Sequence, residues 1–192
     1  MIEVIDYGGG NIGSITRCLE RLEVPFNTTE MPSGDHAMIL PGVGAFGAVM
    51  NHLNQNGLAE KIKTLILEGV PYLGICVGLQ VLFDASEESP EIAGLGLVSG
   101  AVVKFHAEKV PQIGWNAVTT TNRHYPPGYV YFVNSYYPQP TDPGVTLYEA
   151  DYNGAFCAAV QQQNITAFQF HPEKSGVFGH ELIKRWLLEA AV

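Results

Sequence analysis

Short apolar runs alternate with amphipathic stretches through the first half of the chain. Four runs bounded by polar or turn-forming residues predict strands, at residues 2–5, 24–27, 38–40 and 73–75. Between them, apolar residues recur every three or four positions, as on the buried face of a helix: Ile12, Ile15, Leu19 and Leu22, and then Leu58, Ile62, Leu65 and Ile66. Strands that alternate with helices predict a parallel sheet covered on both faces.

The second half has a different pattern, in which β-branched and aromatic runs are separated by proline and glycine. It predicts strands at residues 97–104, 115–120, 129–133, 145–150, 156–160 and 167–170, followed by a helix at 181–190. Asn153-Gly154 is typical of a tight hairpin turn between two of these strands. We therefore predict an α/β fold with an open, mostly parallel central sheet flanked by helices, antiparallel β-rich additions in the second half, and a single domain over 1–192.

Composition narrows the class of protein. The chain has 192 residues, of which 46% are hydrophobic, and this is enough for a large core. With 10 basic and 19 acidic residues the net charge is −9, and no basic cluster exists to neutralise phosphates, so we expect no nucleic-acid partner. The first apolar run contains Glu3 and Asp6 and lacks the pattern of a signal peptide, and no run reaches the roughly 20 apolar residues of a membrane span.

Three widely spaced cysteines without a C-x-x-C pair argue against a disulfide framework and against a zinc site. We therefore expect a cytoplasmic enzyme that uses no metal and no cofactor. Cys18 lies in a predicted amphipathic helix and Cys157 in an apolar strand, and both are interpreted as core residues.

Cys76 differs from the other two cysteines because of the glycines on either side. The segment Gly74-Ile75-Cys76-Val77-Gly78 is the cysteine counterpart of the Gly-x-Ser-x-Gly nucleophile elbow. We expect a strained backbone at the thiol and close approach of neighbouring elements at the glycines. A helix predicted over 77–83 would direct its first N–H groups at the sulfur and favour the thiolate.

A catalytic thiol needs an acid–base partner, and histidine serves most often. The chain has six histidines: His36, His52, His106, His124, His171 and His180. His171 alone ends an apolar strand, and the carboxyl ends of parallel strands meet where sites form. In His171-Pro172-Glu173, proline would hold the backbone extended, so that Glu173 projects to the same side and orients the imidazole. Without Cys76, a turn with a solvated carboxylate would explain this tripeptide better.

Two glycine-rich segments leave alternatives open. Pro41-Gly42-Val43-Gly44 follows a strand and either turns backbone N–H groups toward an oxyanion or forms an ordinary turn. Residues 8–13 match G-x-G-x-x-G, and Glu30 lies downstream near the ribose-binding distance, so a dinucleotide-binding protein is an alternative. Against it, the predicted second strand ends at residue 27 and leaves Glu30 in a loop, and the second half does not repeat a mononucleotide-binding unit.

Taken together, the motifs resemble those of the class I, triad-type glutamine amidotransferases. Within this class, the motifs most specifically resemble those of the HisH family, the glutaminase subunit of imidazole glycerol phosphate synthase. It extends from Ile5 to Lys174 and rests on residues 74–80 and 170–175, supported by 6–11, 41–46, 114–116 and 131–136.

The resemblance implies a glutaminase of flavodoxin-like fold. Cys76 would attack the carboxamide of L-glutamine, His171 would protonate the departing ammonia and activate water, and Glu173 would hold the imidazole. The oxyanion donors would be the backbone N–H of Val77 and one from the loop at Val43 and Gly44. Four residues match glutamine-binding positions of the family: Gln80, Glu88, Ser135 and Tyr136.

The resemblance also implies a partner, a cyclase subunit of the HisF type that forms a heterodimer with this chain. The cyclase would take up the ammonia and make imidazole glycerol phosphate and AICAR in histidine synthesis, and Trp115, Tyr131 and Lys174 would contact it. A glutaminase subunit of another amidating synthase, or a stand-alone peptidase or γ-glutamyl hydrolase, remains an alternative. Many members carry histidine where this chain has Gln112 and Asn134, which puts regulation and partner choice in doubt.

Overall fold

The computed structural model describes residues 1–9 and 12–191, and a central parallel sheet dominates the described chain. The strands are β1 (Ile2–Ile5), β2 (Phe26–Thr29), β3 (Ala37–Gly42), β4 (Tyr72–Cys76), β5 (Phe83–Ser86), β6 (Val98–Lys104), β7 (Gln112–Val118), β8 (Gly128–Asn134), β9 (Tyr136–Pro140), β10 (Thr146–Asp151), β11 (Ala155–Gln162) and β12 (Ile165–Phe168). The helices are α1 (Gly13–Arg21), α2 (Phe46–Gln55), α3 (Leu58–Leu67), α4 (Val77–Gln80) and α5 (Gly176–Glu189).

The central sheet has the strand order β10-β11-β12-β4-β3-β1-β2. The five strands from β12 to β2 are parallel, and β10 and β11 add an antiparallel edge. The order of the parallel part is that of flavodoxin-like folds. Strands β1, β3, β4 and β12 are buried along their whole length, because both faces of the sheet are covered. The predicted fold class is confirmed.

Two smaller sheets lie next to the carboxyl ends of the parallel strands. β5, β6 and β9 form a small mixed sheet, in which β5 and β6 are parallel and β6 and β9 antiparallel, and β7 and β8 form a two-stranded antiparallel ribbon. On the inner face of the ribbon Phe132 packs edge-on against Phe170 and Phe156. Its outer face is exposed and apolar: Ile113 is 59%, Trp115 59% and Tyr129 66% exposed. One face of the ribbon thus packs in the core, and the other face is exposed.

Several predicted elements have different bounds in the structure. The helix expected over 77–83 is a single turn, Val77–Gln80, and Phe83 begins strand β5. The last helix begins at Gly176 rather than at residue 181, and α2, β5 and β9 were not predicted. The hairpin turn is confirmed, since Asn153 and Gly154 both have positive φ, at 59° and 126°.

The prediction that Glu30 lies in a loop, away from the end of the second strand, is wrong. Strand β2 runs to Thr29, so Glu30 follows its last residue directly. Two residues of the glycine-rich segment 8–13, Gly10 and Asn11, lie outside the described residues. Across 1–9 and 12–191, none of the helices has both the length and the apolar character to cross a membrane.

Candidate active site

Cys76 sits at the apex of a strained turn between β4 and α4. Its φ of 55° and ψ of −107° are costly for a residue with a side chain. A Cβ on Gly78 would lie 2.0 Å from the Leu40 carbonyl oxygen, and one on Gly74 would lie 2.5 Å from the Gly78 carbonyl oxygen. The Tyr72 hydroxyl donates to that Gly78 carbonyl at 2.7 Å and fixes the turn. The predicted elbow is confirmed, including the reason for both glycines.

The helix behind the sulfur is shorter than predicted. Because α4 has only one turn, it lacks the long row of aligned peptide dipoles that the sequence predicted over 77–83. Support for a thiolate therefore has to come from side chains and local N–H groups around Cys76, not from a helix dipole.

His171 and Glu173 form a buried pair at the carboxyl end of β12. Nδ1 of His171 lies 2.9 Å from Oε1 of Glu173, and both side chains are almost fully buried. The extended backbone predicted for His171-Pro172-Glu173 is wrong, since Pro172–Lys174 is a 3-10 turn in which the Lys174 N–H donates to the His171 carbonyl. Oε2 of Glu173 is buried without a partner in the described part of the chain.

The imidazole favours its protonated form. Burial by itself lowers the pKa of His171, but hydrogen bonds and negative charge from Cys76 and Glu173 together outweigh it and raise the pKa from 6.5 to about 9. A protonated imidazole beside the sulfur is the partner that stabilises a thiolate.

Ser175 joins His171 to the ribbon. Its Oγ donates to the His171 carbonyl at 2.6 Å and accepts from the Tyr131 N–H at 2.9 Å, while the His171 N–H donates to the Tyr131 carbonyl at 3.0 Å. Ser175 was not predicted. Its position before α5 suggests an N-cap in the sequence, but its side chain makes no cap hydrogen bond.

A cavity of about 300 Å³ opens in front of the sulfur. Besides Cys76 and His171, it is lined by nine residues singled out in the sequence: Val43, Gly44, Val77, Gln80, Glu88, Asn134, Ser135, Tyr136 and Lys174. Lys174, expected at a partner surface, thus borders the cavity. Trp115 and Tyr131 lie apart from it on the ribbon, with ring centroids 6.1 Å from each other. The elements therefore bring the predicted catalytic and glutamine-binding residues to one place.

The glycine-rich loop after β3 borders this cavity. Gly42, the last residue of β3, pairs with Cys76, and Gly44 has a φ of +111°, a conformation that glycine adopts without strain. Beyond the loop, the carboxylate of Glu88 accepts the Phe46 N–H at 2.7 Å at the start of α2. This contact ties a predicted glutamine-binding residue to the end of the loop.

Gln169 is a second residue that was not predicted. Its Nε2 lies 3.7 Å from the Cys76 sulfur, and its Oε1 accepts from Gln80 Nε2 at 3.0 Å. The signal in the sequence is one amide within the otherwise apolar residues 167–170.

Gln112 and Asn134, the two departures from the expected pattern, are opposite each other on β7 and β8. Both are buried, and Nδ2 of Asn134 donates to the Tyr136 carbonyl at 2.9 Å. Among the described residues, Gln112 Oε1 and Asn134 Oδ1 have no hydrogen-bond partner. Within 1–9 and 12–191, no group of three or more His, Cys, Asp or Glu side chains could hold a metal ion.

A strained cysteine facing a histidine–carboxylate pair, on neighbouring parallel strands, is the arrangement that cysteine-dependent hydrolases of the triad type use. Residues 3–190 match the family model described as glutamine amidotransferase class-I. A solved structure described as a glutamine amidotransferase superimposes with a TM-score of 0.82 at 20% identity, over 100% of this chain and 99% of that one. PurLQS from Thermotoga maritima gives a TM-score of 0.74 at 17% identity, over 100% and 98%. At these identities the likeness establishes the fold.

Sequence relatives narrow the family. Imidazole glycerol phosphate synthase subunit HisH of Geobacillus thermodenitrificans is 42% identical, covering 97% of this chain and 95% of that protein. The subunit HisH of Bacillus subtilis is 40% identical, over 100% and 97%. The chain belongs to the class-I glutamine amidotransferases and, within them, to the HisH subunits of imidazole glycerol phosphate synthase. This membership favours the hydrolase over the dinucleotide-binding alternative.

Proposed function

We propose that this chain hydrolyses L-glutamine to glutamate and ammonia and passes the ammonia to a cyclase subunit that makes imidazole glycerol phosphate and AICAR. The observation that carries the proposal is the buried pairing of His171 with Glu173 beside the strained Cys76, in a chain whose relatives are HisH subunits. We further propose that residues 1–192 act as one domain in the cytoplasm. The described residues 1–9 and 12–191 form a continuous apolar core, which supports one domain.

The chemistry follows from the protonation states. The Cys76 thiolate attacks the carboxamide carbon of glutamine, and a carbon–sulfur bond forms while the oxygen gains negative charge. The backbone N–H of Val77 and one from the loop at Val43 and Gly44 stabilise this oxyanion. The carbon–nitrogen bond then breaks, and the imidazolium of His171 gives its proton to the leaving nitrogen, which departs as ammonia.

Hydrolysis of the thioester completes the cycle. His171, now neutral, takes a proton from water as the water oxygen attacks the thioester carbonyl, and the thiolate leaves. Glutamate is released and the ion pair with His171 is restored. Glu173 holds the ring in position throughout, because its contact at 2.9 Å fixes Nδ1 and leaves Nε2 for the reaction. Gln80, Glu88, Ser135 and Tyr136 bind the glutamine backbone and amide around the cavity.

The outer face of the ribbon is the proposed docking surface for the cyclase. The exposed side chains of Ile113, Trp115 and Tyr129 form an apolar stripe, and exposed apolar patches of this kind mark protein interfaces. Lys174, between the cavity and solvent, adds a positive charge at its edge. A sealed contact keeps ammonia from water, where it would be protonated and lose its nucleophilic lone pair. We therefore expect low glutaminase activity without the partner.

The proposal is tested by ammonia release from glutamine in the reconstituted complex with the cyclase. Cys76→Ser should abolish release and leave complex formation intact, whereas the control Cys157→Ala, in the buried strand β11, should retain it. Turnover by the Cys76→Ser complex would refute the mechanism. Full activity on a γ-glutamyl peptide without any partner would refute the amidotransferase in favour of a stand-alone hydrolase. Capture of a sugar-amidating synthase instead of a cyclase would change the acceptor.

A further inference from the structure

Gln169 contacts the nucleophilic sulfur but belongs to neither the triad nor the oxyanion loop. Its side chain is 0% exposed, and Nε2 lies 3.7 Å from Cys76 Sγ. A buried carboxamide is costly unless its donors and its acceptor are matched, so its neighbours define which way it faces.

The orientation of the Gln169 carboxamide follows from the Tyr136 backbone carbonyl, to which it is connected through the side chain of Gln80. The Tyr136 carbonyl can only accept, and Gln80 Nε2 donates to it at 3.3 Å. The same nitrogen lies 3.0 Å from Gln169 Oε1 and must donate there as well. Rotating either amide by half a turn would bring two acceptors or two donors together. Gln169 therefore presents an N–H, and not its oxygen, to the sulfur.

A fixed donor next to sulfur discriminates between its two protonation states. A thiol sulfur is a weak acceptor, whereas a thiolate accepts a charge-assisted hydrogen bond. The titratable groups around this sulfur are His171 and Glu173 after β12, Tyr7 after β1, and Glu88, Tyr136 and Lys174 at the cavity. Gln169 is a neutral group among them, so its effect persists whatever their charge.

We propose that Gln169 is a thiolate-stabilising residue of this site, aligned on Cys76 by Gln80 and the Tyr136 carbonyl. When the thiol proton moves to His171, the N–H of Gln169 holds the resulting thiolate and aims it at the cavity. This deepens the proposed function and rests on Cys76 being the nucleophile. It also gives Gln80 a second task, because its two N–H groups are used inside the protein and only its oxygen is left for a ligand.

The test measures the thiolate directly and needs no glutamine. The rate of Cys76 alkylation by iodoacetamide is followed from pH 5 to 10, with Cys76→Ser used to subtract reaction at Cys18 and Cys157. In Gln169→Leu, which keeps the volume but removes the donor, the rate at pH 7 should fall about tenfold and the midpoint of the profile should move to higher pH. Gln169→Glu should fall further, because a carboxylate repels the thiolate.

The matched control is Thr166→Val, a near-isosteric change at a buried polar residue of β12, the strand that Gln169 follows. It should leave the alkylation profile unchanged. Parent-like profiles in both Gln169 variants, with native circular dichroism, would overturn the proposal, as would an equal loss in Thr166→Val. If Gln169→Leu does not fold, Gln169→Asn decides: its shorter amide cannot reach the sulfur, and a parent-like profile would overturn the proposal. Because alkylation is independent of turnover, these outcomes are distinct from failure of the Cys76→Ser test.

Discussion

Replacing Glu173 with glutamine should change how the stability of the protein depends on pH. Glu173→Gln keeps the size of the side chain and its contact with Nδ1 of His171 but removes the negative charge. Burial lowers the pKa of His171, and Cys76 and Glu173 raise it to about 9 against that effect. Without the charge of Glu173, the pKa of His171 should fall back toward its ordinary value.

The size of the effect follows from linkage. Between pH 6.5 and about 9 the folded protein binds a proton at His171 that the unfolded chain does not. The resulting stabilisation is fully present below pH 6.5 and is lost as the pH rises to about 9. The whole shift corresponds to about 3 kcal/mol, and we assign about 1–2 kcal/mol to Glu173 because Cys76 supplies the rest.

The assay is urea unfolding of the parent and of Glu173→Gln at pH 6 and at pH 9.5. At pH 6 the variant should be less stable by about 1–2 kcal/mol, and at pH 9.5 the difference should nearly disappear. Glu181→Gln is the control, because it removes the same charge from an exposed pair with Lys184 and should cost little at either pH. A difference between parent and Glu173→Gln that stays constant from pH 6 to pH 9.5 would refute the assignment of the shift to Glu173.

Three further substitutions test the elbow, the ribbon and the link between the ribbon and His171. Gly78→Ala places a Cβ against the Leu40 carbonyl and should lower the free energy of unfolding by at least about 3 kcal/mol, measured by thermal unfolding. The control Gly57→Ala, with open space and a φ of +70°, should cost about 1 kcal/mol, and equal losses in the two variants would contradict the packing argument. Trp115→Ala should weaken binding to the cyclase by about 2 kcal/mol in calorimetry, and Leu188→Ala, 80% exposed on α5, should not; equal affinities would remove Trp115 from the interface. Ser175→Ala leaves the Tyr131 N–H without its partner, while the His171 carbonyl keeps its bond from the Lys174 N–H. The free energy of unfolding should fall by roughly 1–3 kcal/mol, and a loss below about 0.5 kcal/mol would show that water replaces the hydroxyl.

The elbow could be predicted from sequence because its cause is local. Glycine is needed at both positions beside Cys76, because a Cβ on Gly74 or on Gly78 would collide with backbone atoms. The contact between His171 and Glu173 was also predicted, but through the wrong backbone. Proline fixes φ near −65°, which suits the first residue of a helical turn as well as an extended chain, and the sequence does not choose between them.

The missed elements depend on partners far away in the chain. In α2, buried residues recur at helical spacing, but Gly47 and two asparagines lower its helix propensity. β9 contains Pro138 and Pro140, which count against a strand, and it forms because it lies at the edge of its sheet, where a missing N–H is tolerated. Gln169 carries no motif of its own. Its importance appears only when β12, α4 and the start of β9 come together.

The hydrogen bond from the His171 N–H to the Tyr131 carbonyl joins two main-chain groups, whereas the side chain of Tyr131 packs against Trp115 on the other side of the ribbon. Tyr131 therefore meets two requirements with different atoms: its peptide groups position His171, and its side chain forms part of the outer face of the ribbon. On the proposed docking surface, its side chain and those of its exposed neighbours can change with the partner, while the peptide groups that hold His171 stay the same. Substitutions on the outer face of the ribbon can therefore change the partner without changing the groups around Cys76 and His171. The same separation would allow new outer side chains to be designed onto this ribbon.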